Sequence, residues 1–202
     1  MGASAQHSLF EAPRPATPVA GLTYLSDAVS SAAEAALRRF VETLGFKPFA
    51  FRGFDANRRT VSFGWRYDFN GGGFQRAQPL PAELEQIRAR VAERLGVSAQ
   101  AFEQCSVIEY KPGAGIGWHR DRPQFGKGAG LSLLAPCRFR FRRADETDGW
   151  ERASLQLEPR SIYLMEGDVR NVWQHSIPPL DRLRHSVTFR TFSPLGESLV
   201  NR

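Results

Sequence analysis

The chain has 202 residues, of which 42% are hydrophobic and 24% are charged, and its formal net charge is +6 at pH 7. This length and this hydrophobic content predict a single folded domain, and the sequence contains no run of 18 apolar residues that would span a membrane. The two cysteines are too few for a disulfide framework, so we expect a reducing, cytoplasmic setting.

Arginine supplies almost all of the positive charge. Guanidinium groups pair with phosphates and stack on bases, so this bias is typical of a protein with an anionic partner such as nucleic acid. The alternative is a genome that prefers arginine codons, and the composition alone does not separate the two.

Residues 1–20 are rich in Ala, Pro and Ser without a period, which predicts a flexible N-terminal tail. The segment also lacks the basic and apolar regions of a secretion signal. We therefore expect residues 21–202 to form the single folded domain.

Two segments show the apolar spacing of amphipathic helices. The first, "SSAAEAALRRFVETLG", opens with the capping-box pattern Ser31-x-x-Glu34 and ends at Gly45. The second, "PAELEQIRARVAERLG", begins near Pro81 and ends at Gly96. The apolar residues that define the two helix faces are Leu37, Phe40, Val41 and Leu44 in the first, and Leu84, Ile87, Val91 and Leu95 in the second.

Most of the remaining chain has the composition of short β-strands. These segments are rich in β-branched and aromatic residues and are separated by Gly, Pro or Asp. They are "PFAFRGF", "TVSFGWRYDF", "CSVIEYK", "GLSLL", "CRFRFRR", "SIYLME" and "RHSVTFRTF". Many strands with two N-terminal helices predict a strand sandwich or a jelly roll braced by helices, and the apolar pattern does not distinguish these two.

One short motif carries metal chemistry. On a strand, His119 and Asp121 point to the same face because side chains alternate, and His175 offers a third donor. Two histidines and one carboxylate form the facial triad of non-haem Fe(II) oxygenases. A His-x-Asp pair alone is weak support, because a hydrogen-bonded surface pair has the same sequence.

The segment "RHSVTFR" separates a polar face from an apolar one. Alternation places Arg184, Ser186, Thr188 and Arg190 on the front and His185, Val187 and Phe189 on the back. Two guanidinium groups and hydroxyls suit a small dianion such as 2-oxoglutarate. Six residues of strand span roughly 20 Å, so both arginines reach one small acid only if the strand coils.

Three motifs together resemble those of the AlkB family of Fe(II)- and 2-oxoglutarate-dependent dioxygenases. They are "EYKPGAGIGWHRD", "GDVRNVWQHSIPP" and "RHSVTFR", and the resemblance extends from residue 21 to about residue 194. It implies an α+β, mainly β fold with a double-stranded β-helix (jelly roll) core. It also implies an enzyme that uses Fe(II), 2-oxoglutarate and O2.

The resemblance assigns roles residue by residue. It implies that His119, Asp121 and His175 hold the iron. Tyr110 and Arg184 would bind the distal carboxylate of 2-oxoglutarate, with Ser186 as a further hydroxyl contact and Arg190 near the keto-acid end or the substrate.

The segment "FGWRYDF" resembles the family's N-terminal lid over the substrate. Trp65 and Tyr67 are therefore candidates to flank a flipped base, with Phe69 on the same alternating face. An aromatic stripe on a half-buried strand is equally typical of core packing.

The sequence departs from the family pattern at two places. Ile108 stands where the family often has an asparagine that contacts the cosubstrate. Arg122, Pro123 and Gln124 follow the His-x-Asp motif where repair members have a second acidic residue, and we count Arg122 among the candidate substrate contacts.

The segment "CRFRFRR" alternates Arg138, Arg140 and Arg142 with two phenylalanines. The alternation predicts a basic row on one face of a strand. Such a row either contacts a phosphate backbone or is a solvated face.

The sequence as a whole predicts oxidative demethylation of alkylated bases in single-stranded DNA or RNA, with release of formaldehyde and succinate. One alternative is a dioxygenase that acts on a protein side chain or a lipid. A second is a catalytically idle nucleic-acid-binding module. We expect a monomer without a membrane span.

Overall fold

A computed structural model describes residues 17–51, 54–67 and 73–200 of the chain. Within these ranges the chain forms four α-helices, namely α1 Ser31–Glu42, α2 Ala82–Leu95, α3 Gly167–Asn171 and α4 Pro194–Val200. The strands in the same ranges are β1 Leu22–Leu25, β2 Lys47–Phe51, β3 Phe54–Phe63, β4 Trp65–Tyr67, β5 Phe74–Arg76, β6 Gln104–Tyr110, β7 Ile116–His119, β8 Phe125–Leu133, β9 Cys137–Ala144, β10 Trp150–Leu157, β11 Ile162–Met165, β12 Gln174–Ile177 and β13 Arg184–Phe192.

The strands form two facing sheets. The large sheet has the order β1-β11-β8-β13-β6-β3-β2, the small sheet has the order β10-β9-β12-β7, and β4 pairs with β5 as a separate hairpin. Every strand pair in these sheets is antiparallel. From β6 onward the chain crosses repeatedly between the sheets, so the predicted mainly β jelly roll is confirmed.

Two hydrophobic cores lie on opposite sides of the large sheet. The first fills the space between that sheet and the helices α1 and α2, and it includes Leu131, Val187 and Phe189. The second lies between the two sheets and includes Phe139 and Phe141 from β9. The large sheet is thus covered on both faces, and the helices brace it as the sequence predicts.

Helix α1 begins one residue earlier than the capping-box pattern suggests. The N-cap is Ser30, whose hydroxyl accepts a hydrogen bond from the Ala33 amide at 3.2 Å. Glu34 is therefore free of a capping role, and its carboxylate accepts a hydrogen bond from the Leu134 amide at 2.9 Å. The predicted Ser31–Glu34 box is wrong because Glu34 serves a tertiary contact instead.

Helix α2 follows the prediction closely. Pro81 is its N-cap, and Gly96 ends it in the left-handed conformation at φ 68°, where a glycine has no steric penalty. The predicted apolar face is buried against the large sheet.

Strand β13 lies at the centre of the large sheet between β8 and β6. Its Val187 and Phe189 side chains belong to the core under the helices. Ser186, Thr188 and Arg190 line a cleft on the opposite face. The predicted separation of an apolar back from a polar front is confirmed for these residues.

The sequence analysis missed several strands, among them β1, β10 and β12. Strand β10 is polar and largely exposed, so it lacks the apolar signal of a core strand. The segment "PFAFRGF" was predicted as one strand, whereas β2 ends at Phe51 and β3 begins at Phe54.

Residues 1–16 of the predicted tail lie outside the described residues, as does Phe69. Val19 is buried in the core between the sheets, and the Thr17 hydroxyl donates to the Leu22 carbonyl at 2.6 Å. The last residues of the predicted tail are therefore packed onto the domain. No helix among the described residues is long and apolar enough to cross a membrane.

Candidate metal centre and cleft

Two strands of the small sheet bring the candidate histidine ligands together. Strand β12 pairs with β7 so that His175 lies directly opposite His119. The two ring centroids are 4.2 Å apart. A separation of 56 residues in sequence is thus closed by one strand pair.

Asp121 completes the group from the loop that follows β7. Strand β7 ends at His119, so strand alternation does not govern where the carboxylate points. The Asp121 Oδ1 atom nevertheless lies 3.9 Å from His119 Nε2 and 4.0 Å from His175 Nε2. One donor atom from each of the three residues lies within 4.8 Å of the others, which is the arrangement of a facial metal site.

Both imidazoles are held in the neutral form that metal binding requires. Burial lowers the pKa of His119, and burial together with the neighbouring His119 lowers the pKa of His175 to about 3. The Nδ1 atom of His119 lies 2.8 Å from the Gly117 carbonyl. Donation of the Nδ1 proton to that carbonyl leaves the Nε2 lone pair directed at the site.

Arg190 anchors the carboxylate. Its Nε donates to Asp121 Oδ2 at 2.7 Å, and one terminal nitrogen donates to Gln104 Oε1 at 3.0 Å. Burial alone would raise the pKa of Asp121, but the charge and the hydrogen bond of the Arg190 guanidinium hold it well below its usual range. Oδ2 is therefore occupied, and Oδ1 is left facing the histidines.

A second arginine fixes the loop that carries Asp121. One terminal nitrogen of the buried Arg170 donates to the carbonyls of Arg122 and Phe125, each at 2.7 Å. The sequence analysis did not single out Arg170 for this role. Its only signal was a position in the "GDVRNVWQHSIPP" motif, which does not reveal a partner some 48 residues away.

Arg184 lies at the other end of β13 and has no acidic partner among the described residues. It is 1% exposed, and its Nε donates to Ser132 Oγ at 3.1 Å. Its guanidinium carbon lies 5.3 Å from the ring centre of Tyr110, which is directly opposite on β6. The Nη1 atom is buried without a hydrogen-bond partner in the described structure.

An open cleft of about 1880 Å³ lies over the triad. Its floor includes the three candidate ligands together with Tyr110, Ser186 and Arg190. Arg184 does not itself line the cleft, but its orphan nitrogen belongs to a guanidinium that contacts the cleft residue Tyr110. The donor set therefore fits a metal ion at the triad and a carboxylate near Tyr110. The predicted contacts of Tyr110, Arg184, Ser186 and Arg190 with the cosubstrate stay predictions.

The three predicted substrate contacts have different surroundings. Trp65 is 8% exposed and packs edge-on against Phe74 and Phe192, with Arg76 over its ring at 4.1 Å. Tyr67 lines the cleft beside Arg122, whose guanidinium lies 4.7 Å from its ring centre. The structure thus brings Tyr67 and Arg122 to the cleft, while Trp65 belongs to a small aromatic core.

Both departures from the family pattern line the cleft. Ile108 lies opposite Ser186 on β6, and Pro123 follows Arg122 in the loop after Asp121. Neither side chain supplies a hydrogen-bond donor or a charge. The cleft near the triad therefore lacks the amide and the second carboxylate that the family pattern has at these places.

The sequence analysis missed Arg58 and Tyr163, which also line the cleft. Arg58 of β3 lies opposite Tyr110 of β6, and Tyr163 of β11 lies opposite Gly130 of β8. A Cβ atom at Gly130 would lie 2.4 Å from the Tyr163 ring, so this glycine makes room for the tyrosine. Gly130 at the start of the predicted strand "GLSLL" was an available signal of a close approach.

Comparison with protein families decides the class. The family model described as the 2OG-Fe(II) oxygenase superfamily matches residues 22–193. The chain belongs to this superfamily. Members use Fe(II), 2-oxoglutarate and O2, and the candidate triad has the donor set for that iron. This 2OG oxygenase is accordingly a dioxygenase, as the sequence predicts.

Relatives support the AlkB resemblance. The Alkylated DNA repair protein ALKBH8 homolog of Arabidopsis thaliana is 27% identical over 162 residues, covering 67% of this chain and 46% of that protein. The tRNA (carboxymethyluridine(34)-5-O)-methyltransferase ALKBH8 of Mus musculus is 26% identical over 141 residues, covering 66% and 21%. The Uncharacterized protein L905 of Acanthamoeba polyphaga mimivirus is 35% identical over 103 residues, covering 50% and 47%.

The chain therefore spans less than half the length of these curated relatives. Among solved structures, OsALKBH1 superposes with a TM-score of 0.66 at 16% identity, covering 85% of this chain and 96% of that one. A Pseudomonas putida prolyl-4-hydroxylase superposes with a TM-score of 0.59 at 15% identity, covering 86% and 93%. These two structures establish the common fold.

Proposed function

We propose that this 2OG oxygenase demethylates alkylated bases in single-stranded nucleic acid. The observation that carries the proposal is the charge of the cleft. Seven arginines line it, and the one carboxylate among its described lining residues is Asp121, which Arg190 neutralises. A polyanion is the class of substrate that this surface attracts.

The arginines at the rim are placed to bind a strand rather than a small molecule. Arg66 and Arg76 lie on β4 and β5, Arg120 and Arg122 flank Asp121 in the loop that follows β7, and all four line the cleft. All four are exposed. Several exposed cations at one opening suit the phosphates that flank one nucleotide.

Tyr67 supplies a stacking surface inside this rim. Its ring is half-buried and meets Phe74 edge-on at 5.6 Å, which fixes its orientation. A base that leaves its stack needs an aromatic or apolar wall in the pocket that receives it. Extrusion costs least for an unpaired base, so we propose single-stranded substrates.

His119, Asp121 and His175 would hold the iron, and the orphan nitrogen of Arg184 with Tyr110 would receive the distal carboxylate of 2-oxoglutarate. With O2, these cofactors supply an oxidation in which 2-oxoglutarate becomes succinate and CO2 and an N-methyl group becomes a hydroxymethyl group that leaves as formaldehyde.

The chain's own residues keep this site in order. Arg190 restrains Asp121 Oδ2, so that one carboxylate oxygen remains for the metal. Gly117 fixes the tautomer of His119, and Arg170 fixes the loop after Asp121. The buried ring of Tyr163 and the side chain of Phe139 against His175 limit water on the inner side of the site.

The names of the relatives agree with this proposal. One is called an alkylated DNA repair protein, and another is called a tRNA methyltransferase. Both names refer to nucleic acids. The missing second carboxylate after Asp121 favours a different base preference, and it also keeps a protein side chain or a lipid as the alternative substrate.

The experiment is succinate production by purified protein with Fe(II), 2-oxoglutarate and O2. Methylated single strands of DNA and RNA are compared with unmethylated strands of the same sequence, with His175→Ala as the control. We expect stimulation by a methylated strand, with release of formaldehyde in equal amount, and loss of both in His175→Ala. Turnover that depends on His175 but responds equally to methylated and unmethylated strands would contradict a nucleic-acid substrate.

Salt dependence provides a second criterion. Binding of a single strand that neutralises several phosphates weakens steeply with added salt, with a slope of about 0.7 per contact. A lipid or a neutral peptide shows a much smaller dependence. A flat salt profile for the methylated substrate would favour the alternative.

A further inference from the structure

The outer face of the small sheet carries an organised row of arginines and tryptophans. We call it the Arg–Trp face and define it by six residues from β7, β9 and β10. They are Trp118, Arg138, Arg140, Arg142, Trp150 and Arg152. Of these six residues only Trp118 also lines the cleft between the sheets.

Strand register shows that these side chains share one surface. Phe139 and Phe141 of β9 are buried between the sheets, so the arginines that alternate with them point outward. In the neighbouring strand Arg152 lies directly opposite Arg142. Trp118 is on the outward side of β7 because the adjacent His119 points into the metal centre.

The arginines are held in place by neutral groups and aromatic rings. Arg142 donates from Nε to Gln174 Oε1 at 2.7 Å, and Arg140 donates from Nε to Ser176 Oγ at 3.0 Å. The guanidinium of Arg142 lies between two indoles, 4.5 Å from the Trp118 ring centre and 4.1 Å from that of Trp150. Both guanidinium planes are thereby oriented without a counter-charge.

The Arg–Trp face carries its positive charge without carboxylate partners among the described residues. On the same strand, Arg143 forms a salt bridge with Glu151 at 2.6 Å. None of the four arginines of the Arg–Trp face forms a salt bridge with a carboxylate in the described ranges 17–51, 54–67 and 73–200. Fixed, unpaired guanidinium groups repel one another, and an anionic partner removes that cost.

The face is continuous with the cleft at the edge strand β7. Trp118 and Gln174 belong to the lining of the cleft, and each is adjacent in sequence to a candidate iron ligand. The indole of Trp118 also contacts Arg140 on the outer face, at 5.0 Å from its ring centre. A nucleic-acid strand that leaves the cleft over β7 would therefore contact the Arg–Trp face directly.

We propose that the Arg–Trp face binds the single-stranded nucleic acid that flanks the base in the cleft. The arginines contact successive phosphates, and the outer surface of Trp150, which is 41% exposed, stacks on a base. The class of ligand rests on the proposed function. The Arg–Trp face would add a binding surface for the substrate strand outside the reaction site.

The test uses binding of unmodified, fluorescently labelled single strands to the whole protein. A trinucleotide reaches the cleft alone, whereas a strand of 15 nucleotides also reaches the Arg–Trp face. The variant is Arg138→Glu/Arg152→Glu. The matched control is Arg39→Glu/Arg94→Glu, which makes the same change in charge at two exposed arginines of α1 and α2.

We expect the wild type to bind the long strand more tightly than the trinucleotide. In the variant the long strand binds at least about tenfold more weakly, and the slope of log affinity against log salt falls by about 1.4 for two lost phosphate contacts. The control keeps the wild-type affinity within about twofold, because surface charges beyond a Debye length are screened. Thermal unfolding verifies that all proteins are folded.

Trp150→Ala isolates stacking from charge. We expect about tenfold weaker binding of the long strand, with the salt slope unchanged, and partial recovery in Trp150→Phe. Equal losses in the variant and in the α-helical control, equal affinity of variant and wild type, or no binding of either strand by the wild type would each overturn the proposal. Binding to anionic lipid vesicles in preference to the long strand would overturn it as well.

This experiment separates the inference from the proposed function. It measures binding of unmodified strands and needs no turnover. Loss of long-strand affinity in the variant supports the face even if methylated bases fail to stimulate succinate formation. Methyl-dependent turnover with unchanged binding of the long strand in the variant would support the proposed function. It would contradict nucleic-acid binding by the Arg–Trp face.

Discussion

The two faces of the large sheet are formed by the same strands but have different roles, core packing on one side and the candidate site on the other. On the helix side, Val187 and Phe189 of β13 pack into an apolar core under α1 and α2. On the cleft side, Arg184 and Arg190 of the same strand are polar groups in largely buried positions. Alternation within one strand thus separates the residues that stabilise the fold from the residues that line the site. Substitutions on the two faces should therefore affect different measurements.

Phe189→Ala should give the largest change on the helix side. Phe189 is fully buried and contacts Phe102 at a ring distance of 5.9 Å. The cavity should lower the free energy of unfolding by about 3–5 kcal/mol and the Tm by roughly 10 °C. Calorimetry measures this loss, while turnover per folded molecule at low temperature should stay near wild type. A loss of turnover in Phe189→Ala without a loss of stability would contradict the different roles of the two faces.

Arg184→Met is the matching change on the cleft side. It removes the charge that we propose for the distal carboxylate, so the KM for 2-oxoglutarate should rise at least about 30-fold. Because the buried guanidinium has no acidic partner in the described structure, its loss should leave the Tm unchanged or higher. Steady-state kinetics and calorimetry give the two values, with Arg39→Met as the control. An unchanged KM would remove Arg184 from the cosubstrate site.

Ser30→Ala tests the revised start of α1, which covers the helix side. Loss of the cap to the Ala33 amide should lower the free energy of unfolding by about 1 kcal/mol. Ser31→Ala is the control and should have almost no effect. Denaturant titrations measure both losses. A larger loss of the free energy of unfolding in Ser31→Ala than in Ser30→Ala would support the capping box that the sequence suggested.

His185 supplies the smallest expected effect, visible as a change with pH. Burial lowers its pKa in spite of the Glu109 carboxylate 3.6 Å away. The unfolded imidazole titrates near 6.5, so below that pH the unfolded chain binds more protons than the folded one. Stability is thus fully present above about pH 6.5 and falls as the pH is lowered toward the folded pKa.

His185→Gln should remove this contribution. The decrease in Tm between pH 7.5 and pH 5.5 should be smaller in the variant than in the wild type. Thermal unfolding at the two pH values gives the difference. An equal decrease in both proteins would show that His185 titrates alike in the folded and unfolded chains.

The parts of the fold that follow from local spacing were predictable. The apolar face of α2, its end at Gly96 and the two faces of β13 each depend on residues a few positions apart. The polar strand β10 was missed because its role lies in pairing with β9 rather than in a core pattern. Local periodicity reports burial, and an exposed strand has little burial to report.

The candidate site shows the same division. The motifs around His119, His175 and Arg184 predicted the residue types of the triad and the polar face of β13. That Trp65 is a core residue, while Tyr67 two positions later lines the cleft, was not readable. Both alternate on the same strand pattern, and their surroundings come from segments far away in sequence.

The types of the candidate ligands, the two faces of β13 and the end of α2 could be predicted from short motifs, because each depends on side chains close together in the chain. The tertiary structure alone decided which atoms meet. The register of β12 against β7 places His175 opposite His119, and the packing of β13 gives Asp121 its partner in Arg190. The stacking of Arg142 between Trp118 and Trp150 likewise needs three strands side by side. Pairing of distant segments is set by the whole packed core, and no short stretch of sequence carries that information.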